Sequence, residues 1–107
     1  MEKILETNET AIPALAALAN DTRLNAFRLL VKAGPKGLPA GKLAEDLKTP
    51  PQTLSFHLKE LAGAGLVASE RQGRSILYRA QFDRMVGLLT FLTEDCCQGQ
   101  CEISLSK

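Results

Sequence analysis

The sequence predicts a mainly α-helical domain with a β-hairpin wing, the winged helix-turn-helix plan. Three observations predict it. Leucine and alanine recur at helical spacing through a series of short segments. A Thr49-Pro50-Pro51 break parts a short third helix from a longer fourth. Two β-type runs flank Gln72-Gly73-Arg74 before a last helix begins. The 107 residues suit one small domain, and 45% hydrophobic with 23% charged residues is ordinary for a soluble globular chain.

The first helix falls in residues 9–19, where Ile12, Leu15, Leu18 and Ala19 share helical spacing and Pro13 suits a first turn. Asn20 or Asp21 caps a second helix over about Thr22 to Ala33, with Leu24, Phe27, Leu30 and Val31 as its apolar stripe. Gly34-Pro35 ends it. The third helix covers about Ala40 to Leu47, burying Leu43, Ala44 and Leu47. The fourth runs from the proline pair to about Ala62, with Leu54, Leu58 and Leu61 inward and Gly63-Ala64-Gly65 closing it. Strands are expected over Leu66–Arg71 and Ser75–Ala80, Gly73 supplying the positive φ of a tight turn. The final helix spans about Phe82 to Leu92.

That last helix has apolar residues around much of its circumference: Phe82, Met85, Val86, Leu88, Leu89, Phe91 and Leu92. A helix on a monomer's surface needs one apolar stripe of roughly 100°. The first helix has a similar excess, so the two terminal helices are expected to form a homodimer interface.

The net charge of +1 announces no polyanion, but its distribution is uneven. Residues 35–80 hold Lys36, Lys42, Lys48, Lys59, Arg71, Arg74 and Arg79 against four carboxylates, while residues 81–107 carry two cations and four carboxylates. A basic middle suits a nucleic acid. No apolar run approaches the ~20 residues of a membrane span, and Met1-Glu2-Lys3 opens no secretory leader. The expectation is a cytoplasmic protein with no membrane partner.

Opposite the leucines of the fourth helix stand Gln52, Thr53, Ser55, Phe56 and Lys59. Short polar groups near a helix N-terminus suit base edges in a major groove, and Lys59 suits phosphate. Phe56 either touches a thymine methyl or bends back into the core. His57, the only histidine, lies between this face and the leucine stripe, where phosphate bonding or a structural part suits it better than catalysis. Arg71 and Arg74 at the hairpin tip suit phosphate or minor-groove contact.

All three cysteines lie in six residues: Cys96, Cys97 and Cys101. An odd number leaves a closed disulfide framework one over. Soft thiolates select soft or borderline ions. A structural zinc site wants four ligands, whereas arsenite or antimonite takes three, and a methylated arsenite two. A divalent metal or a redox switch uses the same thiols, although Glu94, Asp95 and Glu102 are the reverse of the electropositive setting of redox-sensing thiols. On a continuous helix Cys96 and Cys97 point about 100° apart, so convergence requires the segment to leave helical geometry. Gly99 offers a place to fold back, and binding is expected to order a loop there.

Leu18-Ala19-Asn20-Asp21-Thr22-Arg23-Leu24 resembles the opening signature of the ArsR/SmtB-type metalloregulators. Gln52 through Leu61, then Ala64-Gly65-Leu66-Val67, resembles their recognition helix and its exit. Arg71-Gln72-Gly73-Arg74 through Tyr78-Arg79 resembles their wing. The resemblance covers about residues 9–93. It implies a homodimeric repressor that binds operator DNA and lets go when a metal or metalloid binds. The best-known arsenic sensors of this family hold their thiols at the start of the third helix, and this chain has none there. Its zinc and cadmium sensors place carboxylate and histidine ligands in the last helix, which here offers Asp83 and no histidine. The chain is similar instead to arsenic-responsive relatives with a C-terminal thiol cluster.

The expectation is therefore a DNA-binding and dimerisation domain over 1–93 and a sensing tail over 94–107, with Cys96, Cys97 and Cys101 taking trivalent arsenic. The alternatives are a redox- or divalent-metal-sensing repressor using the same thiols, or a small thiol redox enzyme. The enzyme lacks a visible anion-cradling loop or a base beside a thiol.

Overall fold

The computed structural model describes residues 6–99. In chain order it contains α1 (Asn8–Leu18), α2 (Asp21–Ala33), a 3₁₀ turn at Gly34–Lys36, β1 (Leu38–Pro39), α3 (Ala40–Leu47) and α4 (Pro51–Gly63). Then follow β2 (Val67–Gln72), β3 (Ser75–Ala80), α5 (Phe82–Thr93) and a 3₁₀ turn at Cys96–Gly99. The winged helix-turn-helix plan is the observed one.

Local chemistry accounts for most boundaries. Asn20 caps α2, its side-chain oxygen accepting from the Arg23 N–H at 3.0 Å. Gly34 ends α2 at φ +79°, its N–H bonding back to the Leu30 and Val31 carbonyls. Lys48 ends α3 in the left-handed region. Pro51 opens α4 at the first helical position, where no N–H is needed, and the Pro50 carbonyl accepts from Leu54 at 2.9 Å. The turn between α3 and α4 is thus only Lys48-Thr49-Pro50.

Two features differ from expectation. α1 begins at Asn8, so Pro13 stands inside the helix rather than in its first turn. The start lies earlier because the Thr7 N–H is taken by the Thr10 hydroxyl at 3.0 Å, closing the N-terminus ahead of the apolar residues. β1 was not expected. It pairs antiparallel with β3 (Leu38 with Tyr78, Pro39 with Leu77), making a three-stranded sheet of order β1-β3-β2. Gly37 permits that approach: it sits at φ +70°, and a Cβ there would collide with the Tyr78 carbonyl. The hairpin register runs from Val67 with Ala80 to Gln72 with Ser75, leaving Gly73-Arg74 as the turn, with Gly73 at φ +61°.

The core is leucine: Leu30, Leu43, Leu54, Leu58, Leu61 and Leu66 are fully buried where α2, α3 and α4 meet the sheet. α1 joins this core through its small residues, Ala11, Ala14 and Ala17, leaving Ile12 (62% exposed) and Leu15 outside. α5 turns Phe82, Met85, Leu88 and Phe91 toward the core, and Leu88 alone of these is buried. Val86, Leu89 and Leu92 are exposed. No helix of the described residues is long and apolar enough to cross a membrane.

A nearly buried ion pair ties the segment ahead of α1 to α5. Arg84 of α5 pairs with Glu6, whose side chains are 15% and 3% exposed. Its second nitrogen donates to the Ala64 carbonyl at 2.8 Å. Glu6 also accepts from the Thr10 hydroxyl at 2.9 Å. Removing one member leaves the other charge desolvated, which is the costly way to break such a pair. Arg84→Ala is expected to lower unfolding free energy by about 3 kcal/mol, the low end of the range for a buried pair because the Arg84 side chain keeps 15% exposure. Urea denaturation at fixed protein concentration measures it, and a loss under about 1 kcal/mol, typical of an exposed pair, would contradict the assignment.

Candidate DNA interface and thiol cluster

The leucines of α4 face inward, which turns Gln52, Thr53, Ser55, Phe56 and Lys59 outward. All five are exposed. Phe56 does not bend back into the core: it is 56% exposed. His57 is half-buried, with its Nδ1 buried and unpartnered among the described residues. Its ring meets that of Phe56 edge-on, the centroids 5.5 Å apart. It is therefore placed between the open face and the core.

Arg71 and Arg74 are exposed at the tip of the wing. Together with Lys36, Lys48 and Lys59 they make an exposed set of cations that forms no ion pair among the described residues. Lys42 and Arg79 are engaged instead, Lys42 with Asp46 at 3.2 Å and Arg79 with Glu70 at 2.9 Å. Arg79 also donates to the Pro35 carbonyl at 3.2 Å, pinning the wing to the turn after α2. Arg23 of α2 lies 3.9 Å from Glu60 of α4 and steadies the back of that helix. Sequence reading missed the positioning parts of Arg79 and Arg84 because both partners are remote: Pro35 is 44 positions away and Glu6 is 78.

The thiols follow α5 directly. The helix ends at Thr93, and Asp95 and Cys97 adopt left-handed φ values of +57° and +53°. The chain turns at these two residues. The Cys96 and Cys97 sulfurs lie 3.7 Å apart in this turn. Cys96 is half-buried, and Cys97 is exposed and disulfide-bonded. Cys101 lies outside the described residues, within which no three potential metal ligands gather.

A short helix pair, an exposed polar face on the second helix and a cationic hairpin beside it define a winged helix-turn-helix DNA-binding protein. Residues 18–70 match a family model described as a helix-turn-helix domain. The chain is similar to an uncharacterized HTH-type transcriptional regulator of Methanocaldococcus jannaschii, 30% identical over 84% of this chain and 99% of the relative. It is also similar to the nodulation protein NolR of Rhizobium meliloti, 32% identical over 83% and 70%. Among solved structures, an ArsR-like transcriptional regulator from Rhodococcus superposes with a TM-score of 0.68, 31% identical over 78% of this chain and 76% of the other. Reduced HlyU from Vibrio cholerae gives 0.64, with 28% identity over 79% and 90%. The chain belongs to the ArsR-type family of transcriptional regulators. Such regulators are not enzymes, which removes the thiol-enzyme reading.

Phosphate contacts set the salt dependence of DNA affinity. Arg71→Ala and Arg74→Ala are each expected to weaken binding similarly across DNA sequences and to reduce the slope of log K against log salt by about 1. Fluorescence anisotropy at several salt concentrations checks this. Unchanged slopes in both variants would remove the wing tip from the interface.

Proposed function

We propose that this regulator is a homodimeric repressor that binds operator DNA and releases it when trivalent arsenic or antimony binds Cys96, Cys97 and Cys101. One observation carries the reading: the left-handed turn after α5 brings two adjacent sulfurs within 3.7 Å, near enough to share one thiophilic atom. Cys101, four residues beyond Cys97, supplies the third thiol. A methylated arsenite, needing two, remains an inducer this site suits. Binding requires the reduced form of Cys97, since each thiol proton combines with a hydroxide of the metalloid and leaves as water while the sulfur–metalloid bond forms.

The dimer follows from the apolar surface that one chain leaves uncovered. Ile12 and Leu15 on α1, and Val86, Leu89 and Leu92 on α5, lie outside the core. Pairing these helices buries them and places two α4 helices for successive major grooves, about 34 Å apart. A solved structure of similar fold, from Mycobacterium bovis, is described as a homodimeric winged helix-turn-helix domain. In this chain Ile12→Glu with Leu89→Glu is expected to give a monomer by sedimentation velocity. A variant that stays dimeric would place the interface elsewhere.

A reorientation of α5 when the tail closes on the metalloid would spoil the spacing of the reading helices. Coupling of this kind typically amounts to 5- to 150-fold in affinity. In a gel shift under reducing conditions, stoichiometric arsenite is expected to weaken operator binding by about 10-fold or more. Cys96→Ser with Cys97→Ser should remain bound throughout. Operator binding by the wild type that ignores saturating arsenite, or a double variant that still responds, would overturn the proposal.

The disulfide-bonded state of Cys97 favours a second reading, in which oxidation of the same thiols is the signal. Mild peroxide in place of arsenite separates the two, because only an oxidation switch releases DNA without metalloid and recovers on reduction.

A further inference from the structure

We propose that Phe56 reads the C5 methyl group of a thymine in the major groove and sets sequence preference at that position of each half-site. The inference rests on the DNA-binding reading of α4 and adds a base to it. The other large apolar side chains of this helix, Leu54, Leu58 and Leu61, are at most 1% exposed. Phe56 breaks that rule at 56%. It contributes little to the core, and its ring is open to a partner on this face.

Position and chemistry together select the partner. Phe56 is the sixth residue of α4, in the N-terminal half that enters the groove in helix-turn-helix proteins. Gln52, Ser55 and Lys59 lie one turn or less away on the same exposed face. Those side chains can meet base edges and phosphates. A phenyl ring has no donor or acceptor for either. The thymine methyl is the apolar group that the major groove offers, and phenylalanine is among the side chains that contact it. The ring is also held before DNA arrives, since half-buried His57 packs edge-on against it at 5.5 Å with 60° between the planes.

The experiment removes one methyl group at a time. Operator duplexes are selected from random DNA with the full-length protein. Each thymine is then replaced singly by deoxyuridine, and affinity is read by fluorescence anisotropy at fixed salt. One thymine per half-site is expected to show a loss of roughly four-fold, the size of one buried methyl group. Phe56→Ala should bind the parent duplex more weakly and lose that discrimination. Phe56→Leu, which keeps an apolar tip, should retain part of it and guards against a folding artefact. Equal affinity of the wild type for every deoxyuridine duplex, or discrimination that survives in Phe56→Ala, overturns the assignment. Failure of the wild type to select any DNA would defeat the DNA-binding reading of α4 itself, and this inference with it.

Discussion

The nearly buried guanidinium of Arg84 is the constraint on which the arrangement of this molecule turns. The leucine core holds α2, α3, α4 and the sheet together without it. It holds α5 less fully: Leu88 is that helix's one buried residue, and Phe82, Met85 and Phe91 pack against the core only partly buried. Arg84 supplies what that sparse packing lacks, because hydrogen bonds are directional where apolar contact is not. One end of its fork meets Glu6 ahead of α1, and the other meets the carbonyl of Ala64 just beyond α4. The turn there makes room for it: Gly65 sits at φ +80°, and a Cβ would lie 3.1 Å from the Arg84 Nε. A single side chain thus relates the two terminal helices to the end of the helix with the exposed polar face.

That relation explains how apolar residues are divided over the surface. α1 enters the core on alanines, which lets it lie close to its neighbours at the cost of a small buried area. Ile12 and Leu15 consequently face out, as do Val86, Leu89 and Leu92 on successive turns of α5. A small domain buries a modest fraction of its surface, and spending alanines rather than leucines on α1 keeps the larger apolar groups for another surface. The same economy runs the other way on α4, where all three leucines are inside and the outer face is polar apart from Phe56.

Much of this was legible because the elements are specified locally. Asn20, Gly34, the proline pair at 50–51 and Gly73 each act within a few residues, so the element boundaries lie close to where those signals place them. The unexpected parts depend on distant partners or very short pieces. β1 has two residues, one of them proline, and no periodicity can announce it. Pro13 looked like a first-turn residue until the Thr7–Thr10 hydrogen bond put the start of α1 before it. Arg79 counted only toward the basic middle and Arg84 carried no signal, whereas each makes a contact that the fold must first create. On the open face of α4 the residue types were readable, but the orientation of Phe56 was not. An aromatic residue beside a leucine stripe fits either side until the helix is docked.

The thiol turn stands on the same frame. Cys96 follows α5 by three residues, and left-handed geometry at Asp95 and Cys97 already departs from the helix. Left-handed geometry costs a side-chain-bearing residue roughly 1–2 kcal/mol, with aspartate the more tolerant of the two here. On the proposed reading, a ligand that spans both sulfurs would favour the turned form over a longer α5, and differential affinity of that kind is all that can shift a conformational equilibrium. The shift would propagate along a helix with one buried residue, Leu88, and with Arg84 bonding the chain just beyond α4. On the proposed reading, the sparse packing of α5 is therefore useful. A helix clamped by a full leucine stripe would resist the signal, and one without Arg84 would have no fixed relation to the DNA-reading helix through which to deliver it.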